Sequence, residues 1–281
     1  MRPTAGWRTR RTAALVTAGL AAVLFCLPPA AARAEPACSL VVEAADGTVI
    51  AREGPDCAVP ASPASTFKVA LALIGFDSGI LEGPHAPAWP YREEYDAPLE
   101  SWKRTIDPSA WLAESVIWYS QELTRRLGMA RFQAYVDRLD YGNRDLSGNP
   151  GKHDGLTRAW LSSSLKITPV AQAALLRRLL AGTLPVSTAA QEKTRATMTP
   201  AGPVAGWAVR GKTGTGFQPG ADGTPDRSRP FGWYVGWAEK DGRALVFVHL
   251  LKDGPGDDGS PAGPRARAAL LERLERLLPA L

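Results

Sequence analysis

The chain has 281 residues, with 33 Lys and Arg against 28 Asp and Glu and a formal charge of +5. The first 34 residues hold Arg2, Arg8, Arg10, Arg11 and Arg33 and no acid, so the remainder is neutral. The basic balance is therefore no argument for a nucleic-acid partner, and no basic stripe with interleaved aromatics follows.

Residues 1–34 read as a secretory signal peptide. Arginines precede an apolar stretch from Thr12 to Leu27, and Ala32-Arg33-Ala34 is a small-x-small cleavage site. The run is shorter than the ~20 residues of a membrane span, so a periplasmic protein without a membrane anchor is expected, beginning near Glu35. Arg10-Arg11 hints at twin-arginine export. Cys38 and Cys57 survive cleavage; in an exported chain they are expected to pair, the alternative being buried thiols used as small hydrophobes.

Ser39 to Glu43 and Thr48 to Arg52 predict a hairpin about Asp46-Gly47. A helix carrying Ser65 and Lys68 is entered through Pro60 and Pro63, with Ser62 or Ser65 as its cap. Gly83 to Pro108, rich in proline and aromatics, predicts irregular loop. Trp111 to Leu127 predicts one helix with Ser115 near its start, and Met129 to Leu139 another, stopped by Tyr141-Gly142-Asn143. Asn143 to Leu156 reads as an ordered loop. Thr168-Pro169 opens a helix from Val170 to Leu180, and a last central helix spans Thr188 to Met198. Period-two patterns then predict strands at Trp207 to Lys212, Gly232 to Ala238 and Ala244 to Leu251. A terminal helix presents Leu270, Leu271, Leu274, Leu277 and Leu278 as one stripe. The expected fold class is α/β of the α+β type: an antiparallel sheet part, about 35–80 and 205–281, with an inserted all-helical part, about 81–204, and any functional cleft expected between them.

The chemistry starts at Pro63-Ala64-Ser65-Thr66-Phe67-Lys68. Residues three apart share a helix face, so the Lys68 amine can reach the Ser65 hydroxyl. Serine needs an adjacent base to become a nucleophile, and an unperturbed lysine is only about 0.1% neutral at pH 7.4. Burial by Val69, Ala70, Leu71 and Leu73 would free the amine by lowering its pKa. Further on, Lys212-Thr213-Gly214 closes a strand, placing a cation and a hydroxyl on a cleft rim with a glycine that lets a ligand lie against the backbone. Gly206 to Thr213 also fits the phosphate-loop pattern Gly-x4-Gly-Lys-Thr. Its context is strand-like, and Gly-Thr-Gly-Phe follows where a helix should begin.

Taken in order, Ser65-Thr-Phe-Lys68, Ser115-Val-Ile117, Tyr141-Gly-Asn143, Trp160-Leu161 and Lys212-Thr-Gly214 make the chain resemble the class D serine β-lactamases, the oxacillinases. The resemblance runs from about Cys38 to the terminal helix and includes Phe231-Gly-Trp-Tyr-Val-Gly-Trp237. A class A enzyme would show a Ser-Asp-Asn element and a loop glutamate in matching places, and neither is present.

The resemblance implies hydrolysis of small-molecule β-lactams through a Ser65 acyl-enzyme. Lys68, as an N6-carboxylysine formed with CO2 or bicarbonate, would be the base, steadied by Trp160 in a pocket kept dry by Ile117. Ser115 would relay a proton to the leaving nitrogen, and the N–H groups of Ser65 and Thr215 would form the oxyanion hole. Lys212, Thr213, Gly214, Thr215 and Arg265 would bind substrate, with Arg267 a competitor for the role of Arg265. No other cofactor and no metal are expected, since His85, His153 and His249 show no ligand spacing. The runner-up is a penicillin-binding sensor or D,D-peptidase-like protein that acylates without rapid turnover. The sequence leaves oligomeric state and substrate spectrum open, the latter because Ile117 stands where valine is more usual and Thr215-Gly216 follows Lys-Thr-Gly.

Overall fold

The computed structural model describes residues 36–253 and 260–281, with Met1 and Gly6. The expected signal peptide lies outside the described residues. Residues 34–281 form one compact unit.

Six strands build its sheet: β1 (Cys38–Glu43), β2 (Val49–Glu53), β3 (Pro200–Val204), β4 (Trp207–Pro219), β5 (Pro225–Lys240) and β6 (Arg243–Lys252). They lie in the order β2-β1-β6-β5-β4-β3, every pair antiparallel. The first hairpin turns as expected at Asp46-Gly47, where Asp46 Oδ1 accepts the Thr48 N–H at 2.8 Å and Gly47 adopts a φ of 82°. The expected pairing also forms: Cys38 and Cys57 are disulfide-bonded, tying β1 to the turn ahead of the nucleophile segment.

Among the described residues eight α-helices follow: α1 (Lys68–Asp77), α2 (Pro108–Glu114), α3 (Ile117–Leu127), α4 (Met129–Leu139), the short α5 (Gly155–Arg158), α6 (Pro169–Leu180), α7 (Thr188–Thr197) and α8 (Ala262–Leu277). They cover both faces of the sheet, which is why residues 231–238 of β5 and 244–251 of β6 read as nearly unbroken apolar runs. Trp233, Val235 and Trp237 of β5, with Val246, Val248 and Leu250 of β6, join the core of α1, α3, α4 and α6. Tyr234, Ala238, Leu245 and Phe247 face the other way, beneath Ala266, Leu270 and Leu274 of α8. Each such leucine stabilises by about 1.5–3 kcal/mol on burial, enough to hold α8 on the sheet. No helix among the described residues is long and apolar enough to cross a membrane.

Three local expectations are corrected, and one strand was not foreseen. The helix expected over Trp111 to Leu127 is broken at Ser115, whose left-handed backbone (φ 61°, ψ 30°) ends α2. The apolar spacing continues across the break, so periodicity alone does not reveal it. Neither Ser62 nor Ser65 caps a helix; residues Ala64–Phe67 form a 3-10 turn leading into α1 with no side-chain cap. A short helix, α5, begins inside the stretch read as loop. Finally β3 forms despite Pro200 and Pro203, because it is the edge strand, where a missing N–H can face outward.

Candidate active site

Ser65 sits in the 3-10 turn and Lys68 begins α1. The amine lies 3.0 Å from Ser65 Oγ. Lys68 is fully buried, and desolvation, helped by the charge of Lys212, holds its pKa well below the ordinary lysine value. The lowered pKa favours the neutral amine, the form that can take the serine proton at that distance. The turn is fixed from below: Thr66 Oγ1 donates to Pro63 O at 2.6 Å and accepts from Gln172 Nε2 at 2.9 Å, joining α6 to the nucleophile segment.

Ser115 faces Ser65's partner strand. Its left-handed corner turns the hydroxyl to Lys212 Nζ, which hydrogen-bonds both Ser115 Oγ and the Thr213 carbonyl. Lys212 is also buried without a carboxylate partner among the described residues, and desolvation lowers its pKa to about 7. Ile117, half-buried, begins α3 one residue after the fully buried Val116.

The free edge of β4 supplies the third wall. Arg210 to Trp207 pair with β3, Gly211 N–H reaches Thr199 O at 3.1 Å, and Phe217 N–H reaches Ser162 Oγ at 2.9 Å. Amide directions alternate along a strand, so the N–H groups of Thr213 and Thr215 also face outward, into the gap between those two bonds. Gly214 is where the nucleophile turn meets this strand: a Cβ there would lie 3.0 Å from Pro63 O and 3.1 Å from Thr66 Cγ2. Thr215 Oγ1 accepts from Gly263 N–H at 2.9 Å, bringing the start of α8 beside it.

Trp160 is fully buried, its ring 5.6 Å from that of Phe67, and its Nε1–H has no partner. Trp207 and Trp237 share such an orphan, but they belong to the sheet. Tyr141 packs edge-on to Phe67 at 4.9 Å. Gly142 (φ 57°) lets the chain approach so closely that a Cβ would fall 1.9 Å from Lys166 O, and Asn143 Oδ1 accepts the Lys166 N–H at 2.9 Å. The Tyr141-Gly142-Asn143 segment thus braces the loop that carries Trp160.

Arg265 pairs its guanidinium with Asp253 and is not among the residues lining the cavity that Lys212 and Thr213 share. Arg267 instead lines a cavity of about 320 Å³ with Ala113, Thr199, Lys212, Thr213 and Tyr234. The sequence favours Arg265 with Arg267 as competitor; two residues apart on α8, the two face different sides, and only the tertiary placement says which side meets β4. Sequence reasoning also missed Ser62. Its Oγ donates to Trp160 O at 2.9 Å and accepts Ser162 N–H at 3.0 Å, while its carbonyl accepts Trp233 Nε1–H at 2.9 Å. No local signal marks a serine for such a role.

Residues 37–271 match the family of the penicillin binding protein transpeptidase domain. Beta-lactamase OXA-9 of Klebsiella pneumoniae is 44% identical over 242 residues, 86% of this chain and 88% of that protein. Beta-lactamase OXA-1 of Escherichia coli is 36% identical over 216 residues, 76% and 75% of the two chains. The crystal structure of the class D β-lactamase OXA-427 superposes with a TM-score of 0.78 at 50% identity, covering 85% of this chain and 99% of that one. With a serine, a buried lysine and a second serine–lysine pair gathered at an open strand edge, the chain belongs to the class D β-lactamases.

Proposed function

We propose that this protein hydrolyses β-lactams in two steps through an acyl-enzyme on Ser65. The observation that carries the reading is the fully buried Lys68 amine 3.0 Å from Ser65 Oγ, its pKa held well below the ordinary lysine value by desolvation. The Ser65 proton passes to that side of the cleft as Oγ bonds to the lactam carbonyl carbon. The N–H groups of Ser65 and Thr215 face the oxyanion, each such donor being worth about 2.7–4 kcal/mol in similar sites. As the C–N bond breaks, Ser115 gives its proton to the ring nitrogen and Lys212, titrating near neutrality, replaces it. The substrate carboxylate is bound by Lys212, Thr213 and Arg267, a guanidinium fork suiting a carboxylate. Water then releases the acyl group.

The residues around Lys68 fit an N6-carboxylate: a neutral amine can take up CO2, and the unpartnered Trp160 Nε1–H is a donor for the product. Such a group supplies a carboxylate base beside Ser65. Ile117 and Val116 keep water from the amine. The cleft lies between the sheet part, about 35–80 and 205–281, and the helical part, about 81–204, and the disulfide supports folding in an oxidising compartment such as the periplasm.

Mass spectrometry after mixing with benzylpenicillin tests the reading. A Ser65 adduct that forms and decays within the turnover time is expected; an adduct that persists for hours would make the protein a penicillin-binding sensor, and no adduct would remove the proposal.

A further inference from the structure

Three residues past Thr215 along β4 lies a second cavity, of about 270 Å³, lined by Lys166, Phe217, Gln218, Arg229, Phe231 and Lys252 among others. Its charge is unusual. Lys166 is half-buried, desolvation lowers its pKa, and its ammonium makes no hydrogen bond or ion pair among the described residues; Asp145 is the carboxylate that acts on it electrostatically. Arg229 bonds only neutral groups, Gln218 Oε1 at 3.1 Å and Pro219 O at 3.4 Å, with Asp226 felt at longer range. Lys252 is neutralised by Asp56. A fourth cation, Arg227, stands 5.4 Å over the Phe217 ring. Two cations thus lack a counter-charge in direct contact among the described residues, beside two phenylalanine rings.

The direction of the substrate follows from β4. Resting on the function proposed above, the ring carboxylate sits at the Lys212 and Thr213 end and the reacting carbonyl at Thr215. In a penicillin the acylamino group and the ring carboxylate lie at opposite ends of the bicycle, so the acyl chain heads toward Phe217. From Thr215 to Gln218 the strand advances about 10 Å, a reach that an extended six-carbon diacid chain covers when its amide link back to the reacting carbonyl is included.

We propose that this cavity is an acyl-side-chain subsite selective for β-lactams whose acyl chain ends in a carboxylate, with Lys166 and Arg229 holding the carboxylate and Phe217 and Phe231 the methylenes. The Ser162–Phe217 hydrogen bond marks its border with the cleft.

The probe pair is adipoyl-penicillin and its side-chain methyl ester, which differ only in that terminal charge. Wild-type kcat/KM should favour the acid at least tenfold at low ionic strength, and added salt should shrink the ratio because the cations are partly exposed. Lys166→Gln and Arg229→Gln should each cut the ratio several-fold while benzylpenicillin is turned over as before. A ratio near one in wild type, insensitive to salt, overturns the subsite. So does a ratio that both variants leave intact. Titration of Ser65→Ala protein, followed by tryptophan fluorescence, gives the same acid-to-ester comparison as dissociation constants. It decides the inference even if benzylpenicillin is not hydrolysed, a result that would count against the hydrolase reading alone.

Discussion

Arg267 and Arg265 stand two residues apart on α8 and point to different partners, so their truncation should have different consequences. Arg267→Ala removes a cation from the wall shared with Lys212 and Thr213, and because ring carboxylate binding is equal in ground and transition states, it should raise KM for benzylpenicillin about tenfold with little change in kcat. Arg265→Ala, which breaks the pair with Asp253, should leave KM within about twofold. The reverse order in steady-state kinetics would return the carboxylate to Arg265. Lys212 offers a second test. Burial lowers its pKa to about 7, so the free enzyme loses this cation as pH rises through neutrality. The kcat/KM profile should therefore fall on its alkaline side near pH 7, and Lys212→Arg should carry the plateau beyond pH 9. An unchanged alkaline limb in that variant would assign it to another group. Ser65, Lys68 and Lys212 were legible in the sequence because each lies in a short local motif whose spacing has a chemical reason. The choice of arginine was not, since it depends on which side of α8 meets β4.

At the scale of elements, close backbone contacts decide more than helix propensity does. Gly142 combines a left-handed φ with a space that ends at the Lys166 carbonyl, so Gly142→Ala cannot be absorbed by a side-chain rotation. We expect a loss of about 2–4 kcal/mol in urea unfolding, with a larger fall in deacylation than in acylation, because the displaced loop carries Trp160. A stability within 0.5 kcal/mol of wild type would show that the loop shifts freely. The strands and most helices follow from periodicity: Thr168 before Pro169 caps α6 as its sequence promises, its Oγ1 accepting Ala171 N–H at 3.0 Å. The corner at Ser115 does not follow, because Trp111, Leu112, Val116, Tyr119 and Leu123 keep helical spacing on both sides of it. Nothing short of the lysine opposite explains why a serine should hold a left-handed backbone there.

Over the whole molecule, acid stability should depend on His249. It is buried under α8, and desolvation first, then the charge of Arg273, lowers its pKa to about 4, with Glu53 opposing. Between about pH 6.5 and 4 the unfolded chain binds a proton that the folded one refuses, so stability falls as pH drops through that window. His249→Gln should lessen the loss between pH 7 and pH 4.5 by about 2–3 kcal/mol, read from urea midpoints; parallel losses in both proteins would place the acid sensitivity elsewhere. The disulfide and both cores reach across the sheet to support one region that works against folding. Lys68 and Lys212 are both sealed from water, and neither has a carboxylate partner among the described residues. Lys212, titrating near neutrality, is thus a buried cation with no carboxylate beside it among the described residues, and an anionic ligand completes the balance. Simple carboxylates, which carry no amide to acylate Ser65, should therefore raise the melting temperature, more at pH 6 than at pH 8, by mass action on the folded state. Thermal shift with acetate against an equal ionic strength of chloride measures it, and equal shifts at both pH values would mean that the bound anion does not sense the state of Lys212.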